Sequence, residues 1–225
     1  MGRLCSSRYE RQARDLGYTR IAGLDEVGRG ALFGPVVAAA VILDPARQIR
    51  GLDDSKKLRP ERREELAVRI RERALGWAVA EVDAGRIDAW NILRASCQAM
   101  LEALAELKVI PDYLLTDAVR LETPIPQKSI IHGDARSLSI AAASILAKQW
   151  RDGIMDQWAD IYPQYGFGHN RGYATADHLE ALRQFGPTPH HRFSFAPVRQ
   201  ARCWASSAYQ TDLPLAPARP KDAVE

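Results

Sequence analysis

The chain has 225 residues, 46% of them hydrophobic and 26% charged, a mix that fills a real core and excludes disorder over most of the length. No apolar run approaches the roughly 20 residues of a transmembrane helix, and the charged stretch Met1 to Arg20 lacks the apolar centre of a secretory signal. Lys and Arg total 31 against 28 Asp and Glu, a net charge of +3, which permits an anionic partner without requiring one.

Taken in chain order, residues 1–18 read as a polar, Arg-rich lead-in with a short helix. Ile21 to Val27 reads as a strand entering the glycine corner Gly28-Arg29-Gly30. Pro35 to Leu43 is a dense Val/Ala/Ile run, the pattern of a strand buried on both faces. Pro60 suits the first turn of a helix whose early glutamates favour an N-terminus. Trp77 to Val82 follows as a strand. Gly85 to Lys108 reads as one helix, with Leu93, Cys97, Met100, Leu104 and Leu107 at three- and four-residue steps. Tyr113 to Asp117 and Lys128 to Ile131 are short strands. Asp134 opens an Ala-rich helix to about Arg151, and a last helix spans Thr175 to Phe185, ending at Gly186-Pro187. This alternation predicts an α/β domain on a mixed sheet. The Pro-rich residues 205–225 read as a disordered tail. Cys5, Cys97 and Cys203 are odd in number and lack metal-like spacing, which points to a reducing cytoplasm.

Four carboxylates occupy element boundaries. Asp25 and Glu26 lie in an apolar strand before the glycine corner, Asp117 ends another strand, and Asp134 precedes a helix. Acids gathered at strand ends make a hard-oxygen site for Mg²⁺ or Mn²⁺. Each also has an ordinary reading. Asp134 caps a helix, Asp117 is a turn residue, and Asp25 and Glu26 pair with an arginine such as Arg29. Neighbours on a regular strand point to opposite faces, so Asp25 and Glu26 share a site only through a bulge, through the Glu26 carbonyl, or from the rim.

Gly28 and Gly30 let a ligand approach the backbone closely, and Arg29 can hold a phosphate. Lys56 and Lys57 form a compact basic loop. His169, Asn170, Arg171 and Tyr173 combine groups suited to phosphate contact and stacking. His190-His191-Arg192 reads either as a phosphate or metal contact or as a polar segment near the domain end. Tight turns and solvated surface loops are the ordinary alternatives throughout.

These blocks, in this order, resemble the bacterial ribonuclease HII family: Ala22 to Gly30, Gly34 to Val41, Asp54 to Leu58, Leu115 to Asp117, Gly133 to Ser137, Ile140 to Ser144, Tyr165 to Phe167, Gly172 to Thr175 and Gly186 to Pro189. The resemblance covers residues 20–198. It implies a ribonuclease H-like fold: a five-stranded mixed sheet flanked by helices, with a helical C-terminal extension. Together with the composition of the two ends, this divides the chain into a lead-in 1–18, a catalytic domain 19–204 and a tail 205–225. It implies endonucleolytic cleavage of RNA in RNA–DNA hybrids, and 5′ to single ribonucleotides in duplex DNA, by two divalent ions, Mg²⁺ or Mn²⁺. Asp25, Glu26, Asp117 and Asp134 become the metal-binding acids. Gly28, Arg29 and Gly30 match the segment that reads the 2′-hydroxyl, and Tyr173 the tyrosine that stacks on the sugar beyond the junction. Lys56, Lys57 and Arg171 are further substrate contacts, Arg171 standing where lysine is more usual. Phe193 interrupts a stretch that is usually basic. A cytoplasmic monomer without a membrane partner is expected. The alternatives are another metal-dependent nuclease of the same fold and a non-catalytic nucleic-acid-binding module.

Overall fold

The structure is a computed structural model and describes residues 5–202; the tail read at 205–225 lies outside them. The chain divides into two compact units. Among the described residues, one comprises 5–27, Val37–Glu81 and Ser96–Gln149, the other Gly28–Val36, Val82–Ala95 and 150–202.

The first unit begins with helix α1, Arg8–Asp15. Strands β1 (Ile21–Val27), β2 (Val36–Ile42), β3 (Gly76–Val82), β4 (Tyr113–Asp117) and β5 (Gln127–Ile130) form one sheet of order β3-β2-β1-β4-β5. β1 runs antiparallel to β2 and parallel to β4, and β4 parallel to β5, so the sheet is mixed as expected. Every residue of β2 is buried, the reason its sequence is a continuous apolar run. Helix α2 (Pro60–Arg73) has Pro at its first turn and buries Leu66, Ala67 and Ile70. The lead-in is tied into this unit. Ala13 of α1 joins Ile21, Leu115, Ile130 and Ile140 in one apolar cluster.

The single helix expected over 85–108 is two helices, α3 (Ala84–Trp90) and α4 (Ile92–Ala105). Asn91 separates them with a left-handed φ of 73°. Its Oδ1 accepts from Leu93 N–H at 3.0 Å and Arg94 N–H at 3.1 Å, so it caps the second helix. The buried face of α4 is correspondingly Ala95, Ala99, Met100 and Ala103, while Leu93 is exposed.

Asp134 does not open the next helix either. It sits in a 3₁₀ turn, Gly133–Ala135, and α5 runs Leu138–Ile161. The Ser137 hydroxyl accepts from Ile140 N–H at 3.3 Å and donates to Glu10 Oε1 at 2.6 Å. The same Glu10 oxygen accepts from Ser139 N–H at 2.9 Å. A carboxylate from α1 thus satisfies an otherwise orphaned N–H at the positive end of α5. α5 lies directly on β1 at Gly23, where a Cβ would overlap the backbone of Ser139 and Ile140.

The second unit contains α6 (Phe167–Asn170), α7 (Ala176–Phe185) and α8 (Ala196–Arg202). Its core is aromatic: Phe33 stacks on Phe167 at 4.0 Å between centroids and meets Trp158 and His191 edge-on. The Thr175 hydroxyl caps α7 by accepting from His178 N–H. Among the described residues no helix is long and apolar enough to cross a membrane.

Candidate active site

Strand register brings two of the four acids together. Leu24 of β1 stands beside Thr116 of the parallel strand β4. Asp25 and Asp117 are therefore next in line at the carboxyl ends of adjacent strands, on the face shared by Gly23 and Leu115. In sheets with parallel strands, those ends are where ligands bind.

β1 pairs residue for residue with β2 through Asp25↔Ala39, Glu26↔Ala38 and Val27↔Val37. The bulge considered for Asp25 and Glu26 is absent. Glu26 points to the opposite face from Asp25, and Asp25 Oδ1 accepts the Glu26 N–H at 2.8 Å. Glu26 nonetheless lies within electrostatic reach of Asp25.

Asp25 is only 4% exposed. Burial, then the charges of Glu26 and Asp117, push its carboxyl well above the ordinary carboxylate range; Asp134 adds to this, and a hydrogen bond with Ser144 opposes it. Ser144 is placed by α5, whose contact with Gly23 brings the helix against this strand face. Its hydroxyl also meets that of Ser55 at 2.9 Å.

Asp117 Oδ1 accepts from Gly133 N–H at 2.7 Å. This ties the end of β4 to the turn carrying Asp134. The turn is crowded: a Cβ at Gly133 would lie 2.6 Å from Ile140 Cδ1. Ala118 (φ 51°) and His132 (φ 56°) flank the two acids in left-handed conformations. Such strain persists only where surrounding contacts impose it, and it gathers at functional sites.

Asp134 is buried, and its Oδ1 accepts from Ala135 N–H at 2.9 Å. Burial first, then Asp54 and Asp117, raise its carboxyl, while Lys56 and the Ala135 N–H pull it down. Cys5 lies alongside, its Sγ 3.9 Å from the Asp134 carbonyl oxygen. Burial, then the charges of Glu10, Asp53 and Asp134, push the Cys5 thiol up to about 12, which favours the neutral thiol.

The four acids therefore act on one another, and each brings carboxylate oxygens, which suit a hard divalent cation. Among the described residues, no three His, Cys, Asp or Glu side chains stand close enough to ligate one ion as they are. Lys56 and Lys57 are exposed; Lys57 pairs with Asp53 at 3.4 Å. Sequence reading passed over Asp54, Ser55 and Ser144 as individual residues. The one available signal for Ser144 is a hydroxyl inside the otherwise apolar run Ile140 to Leu146.

In the second unit, Gly28 has φ 91° and Arg151 packs against its Cα. Arg151 is fully buried. It donates to the carbonyls of Pro35 (3.1 Å), Arg171 (2.9 Å) and Phe33 (3.1 Å). Arg192, also fully buried, donates to the carbonyls of Gly34 and Arg29 at 3.0 Å each. His191 and Arg192 thus face the interior and are no surface phosphate contacts. Phe193 N–H is bound by Asp88. Arg29 and Gly30 are exposed, and Gly30 faces the Tyr173 ring. Tyr173 is half-buried, with the Arg151 guanidinium 5.4 Å from its ring centre. Arg171 is held by the carboxylates of Asp156 and, at 3.9 Å, Asp152.

The model of the family described as ribonuclease HII matches residues 22–198. The chain is 55% identical to the ribonuclease HII of Koribacter versatilis over 93% of its own length and 80% of that protein's. It is also 55% identical to the ribonuclease HII of Solibacter usitatus, over 87% and 86%. Among solved structures, ribonuclease H2 from Pyrococcus horikoshii superposes with a TM-score of 0.70 at 24% identity, covering 82% of this chain and 97% of that one, which establishes the ribonuclease H-like fold. With a family match spanning both units and relatives aligned over most of their own lengths, the chain belongs to the ribonuclease HII family, hydrolases that act on nucleic acid as RNase H-type endonucleases.

Proposed function

We propose that the protein cleaves the RNA of RNA–DNA hybrids and cuts 5′ to a single ribonucleotide embedded in duplex DNA, leaving 3′-hydroxyl and 5′-phosphate ends. Asp25, Glu26, Asp117 and Asp134 would hold divalent ions, Mg²⁺ or Mn²⁺. The observation that carries this reading is the buried Asp25 carboxyl, opposed in its ionisation by three other carboxylates. A cluster of mutually repelling acids is unfavourable alone and becomes favourable around a cation. Two such ions, when bound, supply a nucleophile at neutral pH and stabilise the charge on the reacting phosphate.

The chain's own groups do the rest by positioning. Ser144 orients Asp25, and the Gly133 N–H orients Asp117. Lys56 offsets negative charge at Asp134. In this reading Gly28, Arg29 and Gly30 present peptide groups to the 2′-hydroxyl, the group that distinguishes RNA from DNA. Tyr173 stacks on the sugar beyond the junction, and Lys56, Lys57 and Arg171 contact phosphates. Residues 19–204 form the catalytic portion of a cytoplasmic monomer.

The test is a pair of DNA duplexes, identical except for one ribonucleotide, incubated with Mg²⁺ or Mn²⁺. Cleavage confined to the ribonucleotide-bearing duplex, 5′ to that residue, is expected. Equal cutting of both duplexes would identify a DNA nuclease of the same fold. Binding without cutting under either ion would identify a binding module.

A further inference from the structure

Two buried histidines in the second unit stand apart from the acids. His178 lies in the first turn of α7, and His191 follows the Gly186 to Pro189 loop; both are 0% exposed. Their Nε2 atoms are 3.1 Å apart. Neither two N–H groups nor two lone pairs can face each other there, so one ring donates and the other accepts.

The outer nitrogens decide which. His178 Nδ1 lies 2.9 Å from the Tyr173 carbonyl oxygen, which can only accept. His178 therefore carries its proton on Nδ1 and offers a lone pair at Nε2. His191 must donate from Nε2, which leaves its Nδ1 as an acceptor. Thr188 supplies the donors: its N–H and its hydroxyl each lie 3.0 Å from that nitrogen. Every proton is then assigned, from Thr188 to His191 to His178 to the Tyr173 carbonyl.

We propose that this tautomer-locked His191–His178 pair is a positioning device for Tyr173, fixing the peptide that carries the ring and so setting selectivity for a ribonucleotide–deoxyribonucleotide junction. The proposal rests on the reading of Tyr173 as the residue that stacks at that junction. The Tyr173 peptide has two local bonds, its N–H to the Asn170 carbonyl and its carbonyl from Thr175 N–H. His178 adds a donor from the helix beyond the turn. The ring this peptide carries stands against Gly30 and the Arg151 guanidinium. A small displacement at residue 173 therefore moves the ring within its own surroundings. The chain also requires both rings to be neutral. A proton added to His178 would place two N–H groups nose to nose at Nε2, and one added to His191 would set its Nδ1–H against the Thr188 N–H. The titratable neighbours are Tyr165, whose ring meets both histidines, and His190, which adds positive charge near His191.

Two experiments test this. Long-range proton–nitrogen correlation spectra of the whole protein at pH 7.5, assigned through the backbone, should show His178 as the neutral Nδ1–H tautomer and His191 as the neutral Nε2–H tautomer. This measurement needs no variant, and either ring charged or in the other tautomer overturns the lock. In cleavage assays, His178→Leu should lose about tenfold more catalytic efficiency on a duplex with one ribonucleotide than on a continuous RNA–DNA hybrid. His178→Asn, whose side-chain N–H can reach the same carbonyl, should recover most of that loss. His191→Leu, which removes the donor to His178 Nε2, serves as a second break in the chain if the His178 leucine variant does not fold. Equal losses on the two substrates, or a folded Asn variant without recovery, overturn the positioning role. Tyr173→Ala, run in parallel, separates the two levels: no substrate preference in that variant refutes the reading of Tyr173, whereas preference there without preference at His178 refutes only the device.

Discussion

Gly28 and Arg151 are mutually dependent: the guanidinium fills the space where any other residue's Cβ would stand. Arg151 cannot withdraw without leaving the carbonyls of Pro35, Phe33 and Arg171 short of a donor. Gly28→Ala therefore combines a left-handed backbone with an overlap, and should destabilise by roughly 2–4 kcal/mol. Arg151→Lys keeps the charge but not the fork of donors, and should lose a similar amount. Denaturant midpoints check both. A Gly28→Ala change below about 0.5 kcal/mol would show that the guanidinium moves freely.

Glu10→Ala should cost about 2–3 kcal/mol, because it removes a buried carboxylate that accepts from Ser137 and from the first turn of α5. A lead-in that merely precedes the fold would show no change in urea midpoint. Glu10→Gln should fall between the two, since it retains an acceptor oxygen.

Asp25→Asn should abolish metal-dependent cleavage yet raise the melting temperature of the metal-free protein. The amide keeps the acceptor for Glu26 N–H and removes one of the charges that repel Glu26, Asp117 and Asp134. Each ~1 kcal/mol of relieved repulsion corresponds to about 2–4 °C in a domain of this size. A lower melting temperature in calorimetry would mean that the carboxylate is stabilised by something other than a bound ion.

Acid should weaken the fold through the histidine pair. Burial holds His178 below, and His191 well below, the ordinary histidine value of 6.5. Below about pH 6.5 the unfolded chain binds protons that the folded chain refuses, so stability falls as pH drops. The slope is up to ~1.4 kcal/mol per pH unit for each histidine. Melting curves from pH 7.5 to 5 should show this slope, and the double variant His178→Asn with His191→Gln should flatten it.

The sheet was legible because its strands carry local signals. Burial of β2 on both faces is written in its unbroken apolar run, and β1 and β4 match the expected spans residue for residue. The acids at the ends of β1 and β4 were visible for the same reason, since parallel neighbours align their carboxyl ends. What stayed hidden depends on partners distant in sequence. Asn91 interrupts a helical period that continues across it, and only the left-handed φ reveals the break. Asp134 looked like a cap because Ser137, three residues later, takes that role with help from Glu10 of α1. His191 and Arg192 read either as phosphate or metal contacts or as a polar segment near the domain end, yet they are interior groups satisfied by backbone carbonyls and other side chains.

Gly23 has no chemical group to contribute, but it lets the first turn of α5 rest on β1 so that the helix delivers Ser144 to Asp25. Any side chain there would lift the helix, and the backbone it meets has no flexible end to yield. In a saturation library scored for nuclease activity, position 23 would deplete as fully as position 25. A map of mutational intolerance would then mark the two as equals, and a melting curve should separate them: Asp25→Asn is expected to lose activity while staying folded, whereas Gly23 variants should lose activity together with structure.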